Sequence, residues 1–344
     1  MTVRVGFLGA GLIATYHSKS LRVSHADVVW AGVHDPDRDR AEAFARAGGA
    51  TACATEDEVL DGCDAVYVCT WTSEHQRLVE AAAERGLAVF CEKPLAFDGN
   101  TARAMAGAVR RAGVVNQVGL VMRYAPVYTL LKDLIADPAS GRLMSVVYRD
   151  DQYIPTQGMY QSTWRGDVDK VGAGALLEHS IHDIDMIEYV CGPVASLSAR
   201  SANFHGIHGI EDSMVLSMAF ADGGLGVLAS VWHDILERPS LRRVEVFCER
   251  LYAHLDEDWF GPLRWIRLGV AEQELGGEEL VAEVERRGLT SGNPDGAFIR
   301  AVAAGGPAWP SFDDALRPHD LVDAAYRSAL SGQDVDVSPA PAGS

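Results

Sequence analysis

Between Gly174 and Val190 the chain reads GALLEHSIHDIDMIEYV, so Glu178, His179, His182, Asp183 and Asp185 fall within eight consecutive positions. Carboxylates and imidazoles packed this closely can ligate a metal, pass protons, or form the polar stripe of a helix. Glu178 and His182 are spaced i, i+4 and Asp185 follows at i+7, which places all three on one stripe of a regular helix. Leu177, Ile181, Ile184 and Ile187 then form the adjacent apolar stripe, and His179, Asp183 and Met186 a third face. E-H-x-x-H matches neither the H-E-x-x-H nor the H-x-x-E-H zinc pattern, so no metal is expected. His205 and His208 read as the composition of a glycine-rich loop. Proton transfer is the favoured chemistry, because imidazole titrates near ~6.5 and can exchange protons at neutral pH.

A second group of residues opens the chain. GAGLIA fits G-x-G-x-x-G/A: Gly9 permits a tight turn, Gly11 a close backbone approach to a pyrophosphate, and Ala14 close helix packing. The helix beginning at Leu12 and Ile13 offers backbone N–H groups and positive potential to the phosphates. Asp35 lies at the end of the next strand-like run, where a carboxylate can accept both ribose hydroxyls and repel a 2′-phosphate. NAD is therefore expected over NADP. Arg38 is the opposing signal, since a guanidinium there could pair with that phosphate. The structural alternative for Asp35 is an acid that helps to start the helix at DPDRDRAEAF.

These residues need a scaffold, and the apolar patterning supplies one. VRVGFL (3–8), DVVWAGV (27–33), DAVYVCT (64–70), LAVFC (87–91) and VVNQVGL (114–120) are short, β-branched or aromatic, and separated by amphipathic stretches such as 73–85 and 99–111, the latter with Asp98 as its N-cap. Such alternation predicts a doubly wound parallel sheet, a Rossmann domain over residues 1–122. The remainder, 123–344, changes character. RLMSVVYRDDQY (142–153), DSMVLSMAF (212–220), GLGVLASVWHDI (224–235) and LRRVEVFCERLYAHL (241–255) predict an α+β domain with a large, mostly antiparallel open sheet, and ADGG (221–224) a hairpin turn. A helix over 313–330 closes the fold, and residues 331–344 are expected to be a partly loose tail.

Composition bounds the partners. The 344 residues are 48% hydrophobic and 23% charged, an ordinary globular balance, with a formal net charge of −18 that would repel a phosphate backbone. No nucleic acid is expected as a partner. No apolar run reaches the ~18 residues of a membrane span, and MTVRVGFLGAG reads as a strand and turn rather than a signal peptide. The six cysteines form no CxxC and are expected to be buried thiols in a cytoplasmic protein.

With GxGxxA at the start, CTWTSEH at 69–75, VFCEKPLAF around Glu92-Lys93-Pro94, GLVMRYAP at 119–126 and GRLMSV at 141–146, the chain resembles the Gfo/Idh/MocA oxidoreductases across nearly its whole length. The resemblance implies a dinucleotide-dependent dehydrogenase of sugars or cyclitols, with an EKP lysine and a D-x-x-x-H pair as its chemical groups. Lys93 takes the lysine position, His182 the histidine and Glu178 the acid, here Glu in place of Asp. Thr70, Trp71, His75, Glu92 and Lys93 fall at cofactor positions, with Trp71-Thr72 departing from the common Pro-Asn. Tyr124, Trp164, Arg165, Asp183 and His233, with His179, fall in segments that line the sugar pocket. A homo-oligomer, dimer or tetramer, is implied as well.

The expected reaction is oxidation of a secondary hydroxyl. NAD takes the hydride, and Lys93 and His182 handle the hydroxyl proton. Asp150, Asp151, Glu178, Asp183 and Asp234 suggest an amino sugar or an aminoglycoside-type intermediate as a substrate to consider. Two alternatives use the same residues differently: glycoside cleavage by transient oxidation, and a dinucleotide-sensing regulator without catalysis.

Overall fold

The computed structural model describes residues 1–338. They divide into two compact units: Met1–Val121 with Asp169–Val171 and Asn293–Arg317, and Met122–Val168 with Gly172–Gly292 and Pro318 onward.

The first unit holds six parallel strands: β1 (Val3–Leu8), β2 (Val28–His34), β3 (Thr51–Ala52), β4 (Ala65–Val68), β5 (Ala88–Cys91) and β6 (Asn116–Val118). Their order is β3-β2-β1-β4-β5-β6, so the chain winds outward in both directions from β1 and β4. In sheets of this kind ligands bind beyond the carboxyl ends of the strands where the order reverses. Both faces are covered, which explains the unbroken apolar runs. On one face the rings of Phe7, Tyr67 and Phe90 stack with centroids 4.9 and 4.7 Å apart, and Phe298 meets Tyr67 and Phe90 edge-on. Leu8, Val66, Val68 and Val89 fill the other face. The two-residue strand β3 was too short for any pattern to announce it. The helix Gly99–Ala112 is capped as expected, Asp98 accepting the N–H of Thr101.

The second unit is built on nine strands: β7 (Leu143–Tyr153), β8 (Val194–Ala202), β9 (Ser213–Phe220), β10 (Leu225–His233), β11 (Leu241–Cys248), β12 (Leu251–Leu255), β13 (Leu263–Arg267), β14 (Gln273–Leu275) and β15 (Val335–Asp336). The sheet is ordered β14-β13-β12-β11-β7-β10-β9-β8-β15 and is antiparallel except where β10 pairs with β7. The turn at ADGG joins β9 to β10, with Gly223 at φ 94°. Residues 241–255 are not one strand but the hairpin β11–β12, turned at Glu249-Arg250 without a glycine or proline to mark it. Alternate residues point inward: Val146, Tyr148, Leu216, Leu228 and Val246 pack on the helices Pro126–Ala136 and Ile181–Cys191. Their neighbours Met144, Val147, Val215, Val227 and Phe247 stand exposed on the opposite face. The start of the expected tail is tied down, because β15 pairs with β8; residues 339–344 lie outside the described part. Among the described residues no helix is long and apolar enough to cross a membrane.

Candidate active site

The glycine turn follows β1. Gly9 has φ 90°, and a Cβ there would lie 2.4 Å from the carbonyl oxygen of Cys69, so no other residue fits. Gly11 is the N-cap of the helix Leu12–Val23, and no side chain caps that helix. A Cβ at Gly11 meets nothing within 4 Å. Leu12 and Ile13 stay exposed on this first turn while Ala14 is fully buried against the sheet. Open space above unpaired helix N–H groups is what a pyrophosphate requires, and these residues fit the dinucleotide.

Asp35 closes the turn from β2. Its Oδ2 accepts the N–H of Ala10 at 2.8 Å and its Oδ1 that of Asp37 at 2.9 Å. Asp37, not Asp35, caps the helix Arg38–Gly48. Arg38 binds Glu42 through its Nε at 2.9 Å, and Arg40 approaches Asp35 to 3.6 Å. The guanidinium of Arg38 is thus committed along its own helix.

Parallel register sets Leu8 beside Val68 and Val68 beside Cys91, so the segments after β1, β4 and β5 share one edge of the sheet. After β4, the Thr70 hydroxyl donates to the Trp71 carbonyl at 3.3 Å, and the Lys170 ammonium stands 4.5 Å over the part-exposed Trp71 ring. After β5 come Glu92 and half-buried Lys93. Two of the residues expected at cofactor positions turn into the protein. His75 is buried with Nδ1 2.9 Å from the Pro94 carbonyl, and burial lowers its pKa, so the neutral ring holds the turn from beneath. Glu92 also turns inward: Oε1 lies 2.8 Å from His17 Nε2 and Oε2 accepts the Lys93 N–H at 3.1 Å.

In the second unit the stretch GALLEHSIHDIDMIEYV is not one regular helix. Ala175–His179 form a π-turn, the chain breaks at Ser180, and the α-helix runs Ile181–Cys191. Glu178 and His182 therefore do not share a regular stripe. The π-turn is held by a residue the sequence did not flag. Glu211 accepts the N–H groups of Gly174 and Leu176 at 2.8 and 2.9 Å and the Tyr326 hydroxyl at 2.9 Å. A Cβ at Gly174 would lie 1.9 Å from the Glu211 carbonyl oxygen. The apolar stripe is as expected, with Leu177, Ile181, Ile184 and Ile187 all buried.

Each acid of the region is matched to a cation. Glu178 receives Arg165 Nε at 2.7 Å, and that guanidinium stacks 4.7 Å above Trp164. Asp185 pairs with Arg123 at 2.7 Å, and Asp151 with Arg238 at 2.6 Å and Arg149 at 2.9 Å. Buried Arg242 collects Asp183 at 2.6 Å, Asp258 at 2.7 Å and Asp150 at 3.6 Å. His179 Nε2 lies 2.8 Å from Asp150 and 3.0 Å from Arg242. Burial opposes the charge of both Asp150 and Asp183. At Asp150 the charges of Arg242 and His179 overcome it and hold the carboxyl down; at Asp183 burial dominates and pushes it up. The acids counted in the sequence are thus paired within the protein itself.

The remaining candidates are placed as follows. Tyr124 is buried, and its carbonyl accepts the Gly292 N–H at 3.1 Å. His233 accepts the Ile235 N–H at Nδ1 (3.1 Å) and turns Nε2 to 3.8 Å from Asp151. His182 is half-buried on the first turn of its helix. His205 is more than loop composition, because it bridges Asp212 at 2.6 Å and Asp234 at 3.2 Å. All six cysteines are buried free thiols, and among the described residues no three His, Cys, Asp or Glu side chains are grouped to hold a metal.

Comparison with known proteins identifies the family of both parts of the chain. Residues 3–120 match the GFO/IDH/MocA oxidoreductase family with an NAD-binding Rossmann fold, and residues 128–253 match the GFO/IDH/MocA C-terminal domain. Inositol 2-dehydrogenase of Rhizobium meliloti (strain 1021) is 27% identical across 98% of this chain and 100% of that protein. The scyllo-inositol 2-dehydrogenase (NAD(+)) of Bacillus subtilis (strain 168) is 32% identical over 65% of this chain and 66% of its own. Levoglucosan dehydrogenase, solved in complex with NADH and levoglucosan, shares the fold with a TM-score of 0.85 at 22% identity, covering 98% of this chain and 100% of its own. The glycine cradle, the strand order and both domain matches coincide, and the chain belongs to the GFO/IDH/MocA family of NAD-binding oxidoreductases.

Proposed function

We propose that the protein oxidises a secondary hydroxyl of a neutral sugar or cyclitol with NAD. The observation that carries this reading is the shared sheet edge, where Lys93 follows β5 in the same row of strand ends as the glycine cradle after β1. NAD, when bound, supplies the hydride acceptor. Lys93 orients the hydroxyl and steadies the alkoxide charge as the proton leaves, and His182 receives that proton. Glu178 is already neutralised by Arg165, so its part is to accept a substrate hydroxyl or fix Arg165 and the stacked Trp164.

A neutral ring is favoured over an amino sugar because Asp150, Asp151, Glu178 and Asp183 each hold a guanidinium, and Asp234 is taken by His205 and Gln157. The names of the inositol dehydrogenases among the relatives point to the same class. The exposed apolar row Met144, Val147, Val215, Val227 and Phe247 supports a homo-oligomer through the open sheet face, and six reduced thiols suit a cytoplasmic setting.

The test is a screen of inositols, sugars and aminosugars that follows reduced nicotinamide by absorbance. Turnover of neutral cyclitols or sugars, with Lys93→Ala lowering kcat by about 100-fold or more while NAD binding persists, is the expected outcome. Near-normal turnover by Lys93→Ala would remove the assigned chemistry. Preference for aminated substrates would overturn the neutral class, and product formation without net NADH would point to glycoside cleavage.

A further inference from the structure

A buried ionic chain lies beneath Lys93. His17, on the helix after the glycine turn, is fully buried, with Nε2 2.8 Å from Glu92 Oε1 and Nδ1 2.7 Å from Asp295 Oδ1. Asp295 stands at the start of the helix Pro294–Ala304. Glu92 Oε2 accepts the backbone N–H of Lys93. Gly119 makes room for this carboxylate, since a Cβ there would lie 2.5 Å from Glu92 Oε1. The ring is walled by Phe90 at 4.8 Å, Tyr67 at 5.5 Å and Tyr16 at 5.7 Å, and the charges that face it are those of Asp295 and Glu92.

We propose that His17 is a positioning residue for the reaction: it bridges Asp295 to Glu92, and Glu92 fixes the backbone of Lys93. This rests on Lys93 being the group that meets the substrate hydroxyl. With a carboxylate on each ring nitrogen, both nitrogens must donate, so the ring is an imidazolium. Burial alone would lower its pKa, but Asp295 and Glu92 outweigh burial and push it up to about 10. A fixed cation under the turn offsets the charge of Glu92. Without it, Glu92 would stand as a buried carboxylate short of its charged partner, free to turn away from the Lys93 backbone N–H.

The experiment compares wild type, His17→Gln and Asp295→Asn as full-length proteins on the best neutral polyol of the screen. It reads kcat and KM across pH, NAD affinity by fluorescence, and the imidazole resonances of the native protein by NMR. His17→Gln should lower kcat by about tenfold or more while KM and the NAD Kd each stay within about twofold. The native His17 resonance should remain that of an imidazolium at pH 8. Unchanged kcat in a folded His17→Gln protein, or kcat and NAD affinity falling together, would overturn the proposal. A His17 resonance that titrates below pH 8 would overturn it on the native protein alone, even if His17→Gln fails to fold. An inactive wild type would instead refute the proposed function, whereas an active wild type with a dead Lys93→Ala and a normal His17→Gln would refute only this inference.

Discussion

Two glycines of the opening turn should respond to alanine in opposite ways. At Gly9 the backbone sits at φ 90° and a methyl group would meet the Cys69 carbonyl oxygen at 2.4 Å. The left-handed conformation costs about 1–3 kcal/mol for a non-glycine residue, and the clash is with backbone that cannot swing aside. Gly9→Ala should therefore destabilise the apoprotein by about 3 kcal/mol, a melting shift of about 5 °C or more. At Gly11 the added methyl meets nothing within 4 Å, and the cost is only that of a poorer N-cap, under about 1 kcal/mol. That open space is the approach to the pyrophosphate, so the methyl should be felt only when NAD binds. Melting with and without NAD separates the two effects. NAD at about 100 times its Kd stabilises wild type by about 2.7 kcal/mol, and a tenfold weaker site gains only about 1.4 kcal/mol at the same concentration. Gly11→Ala should thus melt like wild type without NAD and fall behind it with NAD. If Gly11→Ala gains as much from NAD as wild type, the pyrophosphate does not cross this turn.

Asp35→Ala should weaken NAD more than NADP, and lower apoprotein stability by about 1 kcal/mol through loss of the Ala10 and Asp37 contacts; equal losses of both cofactors, measured by titration, would refute the ribose role. Arg242→Leu should cost about 3–5 kcal/mol in denaturant unfolding, since it strands Asp150, Asp183 and Asp258 together, and a wild-type midpoint would refute the network. His17 is raised in the folded state, so its contribution is complete below about pH 6.5 and is lost as pH rises through about 10. Melting temperature should decline across that window in wild type, and the His17 part of the decline should be absent from His17→Gln.

Five of the six strands of the first unit were legible because each is a short β-branched or aromatic run, and the cradle because its glycines have steric reasons visible in their spacing. Partners distant in sequence were not legible. His17 meets Asp295 across 278 positions, and Arg242 gathers acids from several separate segments. Neither has a local signature. The break at Ser180 was missed for another reason: an i, i+4 reading assumes an unbroken α-helix, and the π-turn depends on Glu211 holding Gly174 and Leu176. The hairpin at Glu249-Arg250 was hidden because neither residue is a usual turn former.

The clasp between Gly174 and Glu211 bears on attempts to redesign the enzyme. The segment from Asn203 to Glu211 looks like a surface connection open to replacement, yet its last residue grips the turn that carries Glu178 and leaves no room for a side chain at Gly174. Loop grafting that trims this end would loosen the turn that carries Glu178, whereas exchanges confined to its exposed tip around Phe204 should leave the turn intact.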